Sequence, residues 1–198
     1  DIDFAKELGF TIKLLAIAKA VGDRIEARVH PVMVPSGALL ANIKDEFNAV
    51  EVVGSAVGPQ VFYGRGAGQS PTASAVISDL LDLAERRLTG RASRARFFSD
   101  LPPARIVPPD EVDTGFYCRF TVYDRPGVLA QISRVFADEG ISIASVVQHG
   151  RSETEDGTVP LIMTTHEAPA GGMREAVVRI DRLCVVTGRP QIIRIEKT

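Results

Sequence analysis

The chain has 198 residues, 45% of them hydrophobic and 24% charged, ordinary values for a water-soluble globular protein with room for one large or two small domains. Its formal net charge is −2 with the two signs interspersed, which gives no electrostatic footprint for nucleic acid or an anionic membrane. No apolar run approaches the ~20 residues that span a bilayer, and no basic segment leads into an apolar one at the start, so a cytoplasmic location is expected.

The two cysteines, Cys118 and Cys184, lie inside apolar periodic segments and read as small core residues rather than a disulfide or metal pair. His30, His149 and His166 are far apart without ligand spacing, so no metal site is expected. The chain opens at Asp1 without a methionine and inside an element, as a piece of a longer protein would.

Residues 1–8 read as the end of a short helix stopped by Gly9. The run from Phe10 to Val21 starts with β-branched residues and meets the turn pair Gly22-Asp23, which predicts a strand. Arg24 to Val34 then alternates, with Ile25, Ala27 and Val29 on one face and Arg24, Glu26, Arg28 and His30 turned to water, so the two form a hairpin. Pro35-Ser36-Gly37 breaks the strand, Leu39 to Ile43 makes a helical turn, and Phe47 to Val57 with Gln60 to Tyr63 makes a second hairpin around Gly58-Pro59. The first region is expected to be an antiparallel sheet of about four strands, closed by the helix that follows.

From Tyr63 to Ala84 the sequence passes from strand to glycine loop to amphipathic helix. Gly64, Gly66 and Gly68 alternate, so the backbone is free to take positive φ and to let a ligand or a second backbone come close. Ser70 reads as the N-cap and Pro71 as the first helical residue. Ala73, Val76, Ile77, Leu80, Leu81, Ala84 and Leu88 follow as one apolar stripe. A glycine loop feeding a helix N-terminus suits a phosphate or carboxylate. The spacing leaves two readings open: a cofactor or substrate edge, or a tight turn whose glycines serve packing. It is not the dinucleotide fingerprint, because the third glycine falls one residue early and no βαβ unit follows.

Residues 91–114 turn basic and then prolyl and read as a linker. Arg91, Arg94 and Arg96 form a solvated face rather than a nucleic-acid site, and Pro102-Pro103 with Pro108-Pro109 favours extended backbone. From Phe116 the pattern is strand, loop at Arg125-Pro126-Gly127, helix from Val128 to Glu139, strand from Ile141 to His149, polar turn, strand from Thr158 to His166, helix from about Met173 to Val186, and strand from Gln191 to Glu196. This is a βαββαβ, ferredoxin-like unit.

At Asp124-Arg125-Pro126-Gly127-Val128-Leu129, with Ile132, Phe136 and Gly140-Ile141-Ser142-Ile143, residues 115–198 resemble an ACT domain, an amino-acid-sensing module. In that family an amino acid binds at the interface of paired domains. The resemblance therefore places an effector at Asp124, Arg125, Pro126, Gly127, Val128 and Leu129 and at Ile141, Ser142 and Ser145. Gly127 and the helix N-terminus behind it suit a carboxylate.

The first half is similar to the C-terminal part of the catalytic region of homoserine dehydrogenases. The residues that carry this are Lys6-Glu7-Leu8-Gly9 with Ile12-Lys13-Leu14, Val29-His30-Pro31, Phe47-Asn48-Ala49-Val50 and the run from Tyr63 to Val76. The resemblance implies an α+β chain with three parts. Residues 1–90 would be the end of a substrate-binding and dimerisation domain, built as an antiparallel sheet with a packed helix. Residues 91–114 would be the linker, and residues 115–198 the ACT domain.

The family reduces aspartate semialdehyde to homoserine with NADP or NAD in threonine and methionine biosynthesis, and threonine is its usual effector. The resemblance makes Gly64, Gly66, Ala67, Gly68 and Thr72 the cofactor-proximal residues and implies a homodimer or homotetramer. The family's nucleotide fingerprint and its segment with the catalytic lysine and aspartate are not in this sequence. Lys6 and Lys13 do not sit in that lysine's motif. No catalytic residue is assigned, and the chain alone is expected to be inactive. Two other readings stay open: a free-standing amino-acid-binding regulatory protein, and a structural oligomerisation module.

Overall fold

The computed structural model of the protein describes residues 1–90, 103–148, 150 and 157–197. In chain order its elements are α1 (Ile2–Glu7), β1 (Phe10–Val21), β2 (Arg24–Pro35), β3 (Phe47–Gly54), β4 (Gly58–Arg65), α2 (Gln69–Thr89), β5 (Arg105–Ile106), β6 (Asp113–Tyr123), α3 (Val128–Asp138), β7 (Ile143–Gln148), β8 (Thr158–Thr165), β9 (Ala168–Pro169), α4 (Ala170–Asp181) and β10 (Val186–Ile195). They form two compact units, one of Asp1–Ser36 with Ala104–Thr198 and one of Gly37–Pro103.

The first unit is built on one sheet in the order β1-β2-β10-β6-β8-β7. Its β10-β6-β8-β7 part is antiparallel throughout and, with α3 and α4, makes the expected ferredoxin-like unit. Alternation along β6 decides what each face buries. Phe116, Cys118, Phe120 and Val122 meet Ile132 and Phe136 of α3 and Met173, Ala176 and Ile180 of α4 in the main core. Tyr117, one step out of phase, packs on the other face with Ala5 of α1, Met33, Ile162 and Ile195. Asp1 fastens α1 there, accepting hydrogen bonds from the Tyr117 hydroxyl at 2.8 Å and from Arg119 at 2.6 and 3.1 Å. Gly140, left-handed at φ 70°, ends α3 as its sequence position predicts.

The two expected hairpins form, but in separate sheets. β1–β2 joins β10 through a short parallel pairing of Val32 and Met33 with Arg194 and Ile195, and the Glu196 N–H donates to the Met33 carbonyl at 2.9 Å. The described part of the prolyl segment is also bonded here: β5 pairs with Arg24 and Ile25 of β2, and Val107 N–H donates to the Ile25 carbonyl at 2.9 Å. Arg91, Arg94, Arg96 and His149 lie outside the described residues.

The predicted sense of alternation on β2 is reversed. Glu26 is buried and Arg28 has 8% of its side chain exposed, while Val29 is 69% exposed. The charges are tolerated because Arg28 stands between two carboxylates, that of Glu26 and that of Glu196 from the far end of the chain. Cys118 is fully buried, but Cys184 is exposed, because α4 ends at Asp181 and the apolar run after it turns into β10.

The second unit holds the β3–β4 hairpin and α2. Its tight turn falls at residues 55–57, ahead of Gly58-Pro59, because Gly54 and Gly58 already face each other as the last pair of the ladder. The Phe47 and Tyr63 rings stack at 4.9 Å on one face. The apolar stripe of α2 forms as predicted, yet Val76, Ile77, Leu80 and Leu81 are each more than half exposed, and α2 buries none of its residues.

Candidate functional site

The glycine loop leaves β4 at Arg65 and enters α2 at Gln69. Gly66 N–H donates to the Glu46 carbonyl at 2.9 Å, which closes the open end of the hairpin. Gly68 is the N-cap of α2 with φ 116° and ψ 153°, a conformation that side-chain-bearing residues rarely adopt. This corrects the predicted start: Ser70 and Pro71 are the second and third helical residues, and no side chain caps the helix. Pro71 still falls in the first turn, where its missing N–H costs nothing. Thr72 N–H donates back to the Gly68 carbonyl at 3.1 Å.

Of the three glycines that leave the backbone free to take positive φ, only Gly68 takes it. Gly66 matters for another reason, since a Cβ on it would fall on Asn48 Nδ2 and lie 2.5 Å from Asn48 Cγ, so that a side chain there displaces the Asn48 carboxamide. Over Gly64 there is open space. Gly64, Gly66, Ala67, Gly68 and Thr72 are all exposed and stand together on one short stretch of backbone and the first turn of α2.

In the other unit, Gly127 is left-handed at φ 89° and caps α3. The Asp124 N–H donates to the Gly157 carbonyl at 3.1 Å, Gln148 Nε2 donates to Asp124 Oδ1 at 3.2 Å, and Arg125 lies over the Tyr123 ring at 5.3 Å. Arg125, Pro126, Gly127 and Leu129 are exposed, whereas Val128 and Ile141 are buried in the core and face away from solvent. The Ser142 carbonyl accepts the His166 N–H at 2.9 Å, and Ser145 Oγ shares a 2.6 Å hydrogen bond with Thr164 Oγ1.

The two halves of this predicted site are not together in one chain. Ser145 and Tyr117 both stand opposite Thr164, and Asp124 is seven positions further along from Tyr117. At ~3.3 Å per residue the two halves are ~23 Å apart along the strand direction, at opposite ends of the sheet.

Sequence reasoning missed a buried charge cluster. Arg28 Nη2 contacts Glu196 Oε2 at 2.5 Å and Arg28 Nε lies 2.7 Å from Glu26 Oε1, while Lys19 pairs with the other Glu196 oxygen. The Arg28–Glu26 approach is not directed as a hydrogen bond, and Arg28 Nη1 and His30 Nε2 are buried without a hydrogen-bond partner among the described residues. Burial lowers the His30 pKa below the usual histidine value, with Arg194 and Arg28 acting in the same direction. Opposite charges at alternate positions of β2 are the signal that could have shown the cluster. An apolar recess of about 210 Å³ also lies between Phe4, Glu7 and Leu8 of the α1 segment and Val147 and Ile162. Among the described residues no cluster of histidine, cysteine or acidic side chains is placed to hold a metal, and no helix is long and apolar enough to cross a membrane.

Comparison with known proteins bears on both loops. Residues 1–81 match the family model for homoserine dehydrogenase, and residues 116–182 match that for the ACT domain. A homoserine dehydrogenase of Pseudomonas aeruginosa is 37% identical over 204 residues, covering 100% of this chain and 46% of that protein. One from Mycobacterium tuberculosis is 38% identical over 206 residues, covering 100% and 46%. The crystal structure of a homoserine dehydrogenase from Thiobacillus denitrificans superposes with a TM-score of 0.85 at 39% identity, over 100% of this chain and 45% of that one. The chain thus spans about half the length of the relatives it matches. Residues 1–81 therefore carry the homoserine dehydrogenase family domain and residues 116–182 an ACT domain, the arrangement of the C-terminal portion of a homoserine dehydrogenase.

Proposed function

We propose that this chain supplies the end of the substrate domain, the cofactor-facing glycine loop and the regulatory domain of an NAD- or NADP-dependent homoserine dehydrogenase. The enzyme would interconvert aspartate semialdehyde and homoserine in the cytoplasm, on the route to threonine and methionine. Residues 1–90, 91–114 and 115–198 are its substrate-domain, linker and ACT segments. The observation that carries the proposal is the match of both family domains, in order, along one chain.

The glycine loop suits a nicotinamide nucleotide. Its backbone is exposed from Gly64 to Gly68, with open space where a Cβ on Gly64 would be. Gly64, Gly66, Ala67, Gly68 and Thr72 would line one edge of the cofactor, which supplies the hydride when bound. This chain's part is to shape that edge, and no proton-transferring residue is assigned in it.

Threonine is the proposed effector. Gly127 and the start of α3 offer N–H donors for its carboxylate, and Ser142 and Ser145 offer hydroxyls. Because one chain holds these groups ~23 Å apart, the site needs two copies, paired along the β7 edge so that one copy's loop meets the other's strand start. That requirement supports a homodimer or homotetramer. A preference of ~1–3 kcal/mol for one paired arrangement is enough for regulation.

The test is homoserine oxidation, with each nucleotide, by the product of the longest reading frame that contains this chain and by the chain alone. The longer protein is expected to be active and the chain inactive. An inactive longer protein defeats the assignment, and turnover by the chain alone defeats the placement of all catalytic groups outside it.

A further inference from the structure

Asn48 is the second residue of β3, directly opposite Gly64 in the ladder. Its side chain crosses diagonally to Gly66, where its carboxamide takes the place a Cβ would fill, with Cγ 2.5 Å and Cβ 3.3 Å from that position. Gly66 is the first residue beyond β4, and its N–H is already fixed to the Glu46 carbonyl. The chain is therefore held at Gly66 from two sides, by a hydrogen bond on the nitrogen and by a planar amide lying against the α-carbon. Two residues later it turns through the φ 116° of Gly68 into α2, so any swing at Gly66 is passed directly to the loop. A glycine with ordinary φ is not required by backbone conformation, and what its missing Cβ does here is leave room for the Asn48 carboxamide in its present place.

We infer that Asn48 is a positioning residue for the cofactor edge, setting the course of the Gly64–Gly68 backbone through its contact with Gly66. The inference rests on the reading of that loop as cofactor-facing. It differs from a hairpin-stability role because Asn48 is exposed and buries little surface, so removing its amide leaves the ladder intact while freeing the loop.

The experiment is a double-mutant cycle in the longest reading frame that contains this chain, with Asn48→Ala, Gly66→Ala and the pair. The readouts are KM for the nucleotide, KM for homoserine, kcat and melting temperature. Each single change is expected to raise the nucleotide KM about tenfold, as coupling between contacting residues allows, with homoserine KM and melting temperature nearly unmoved. The pair is expected to do no more than Asn48→Ala alone, because without the amide a Cβ at position 66 meets only the β-carbon at position 48.

Multiplicative effects of the two changes would overturn the inference, since the residues would then act independently. Coupled losses of melting temperature with an unmoved nucleotide KM would overturn the positioning role by a different route. They would leave the contact standing and remove the cofactor assignment of the loop.

Discussion

Replacing Arg28 by methionine removes the cation at the centre of the charge cluster that ties β2 to Glu196, the residue after β10. Methionine keeps much of the aliphatic volume, so the change is largely one of charge. Glu196 retains Lys19, whose side chain is 47% exposed, but Glu26 loses the guanidinium that lies 2.7 Å from it. Breaking a buried ion pair by removing one partner costs ~3–5 kcal/mol, and the surviving Lys19 contact puts this case at the low end, ~3 kcal/mol. For a chain of this size that is a fall in melting temperature of about 6–12 °C.

The assay is urea and thermal unfolding of Arg28→Met, Glu26→Gln and the double variant at pH 7. Glu26→Gln in the Arg28→Met background is expected to recover more than half of the loss, because a neutral amide is far less costly to bury than an unpaired carboxylate. A loss under 1 kcal/mol, or a Glu26→Gln change that adds to the loss, would show that the cluster does not hold by charge compensation.

Gly68→Ala is expected to cost ~1–3 kcal/mol, because it places a Cβ in a backbone region nearly reserved for glycine; urea unfolding of the longer protein checks it, and an unchanged midpoint contradicts it. His30 gives a pH dependence. Its folded pKa is depressed by burial, so the unfolded chain binds more protons just below the ordinary histidine value, and stability falls as pH is lowered from about 7.5 to 5.5. His30→Gln is expected to flatten that part of the melting-temperature profile, and an unaltered slope would show that His30 does not cause it.

Strand and helix identities were legible because each is a local pattern. The βαββαβ order followed from alternation around Cys118, the stripe Val128–Ile132–Val135–Phe136 and the glycine after it. The placement of Val128 and Ile141 in the core was also implicit in that periodicity. What was not legible depends on residues far apart in sequence. The alternation of β2 identified a strand but not which face is buried, since that is decided by Glu196, 168 positions beyond Arg28. The parallel β2–β10 pairing has two registered pairs and leaves no local trace.

The candidate sites divide the same way. Three alternating glycines marked the loop, but spacing could not show that one takes a left-handed φ and another leaves room for Asn48, eighteen positions away across a hairpin. For the proposed effector, the motif pointed to two stretches, the loop after β6 and the start of β7. Their separation across the sheet became visible only once β6 and β7 were both registered against β8.

Calorimetric titration of L-threonine into the product of the longest reading frame asks whether the dehydrogenase segment is joined to an amino-acid sensor. The expected result is saturable heat that is absent with L-valine and lost in Gly127→Asp, whose added carboxylate would stand against that of the ligand. At a hundredfold excess over the dissociation constant, threonine is also expected to stabilise the protein by ~2.7 kcal/mol. No heat with the unaltered protein, or equal heat from Gly127→Asp, would show that threonine is not bound at the loop after β6.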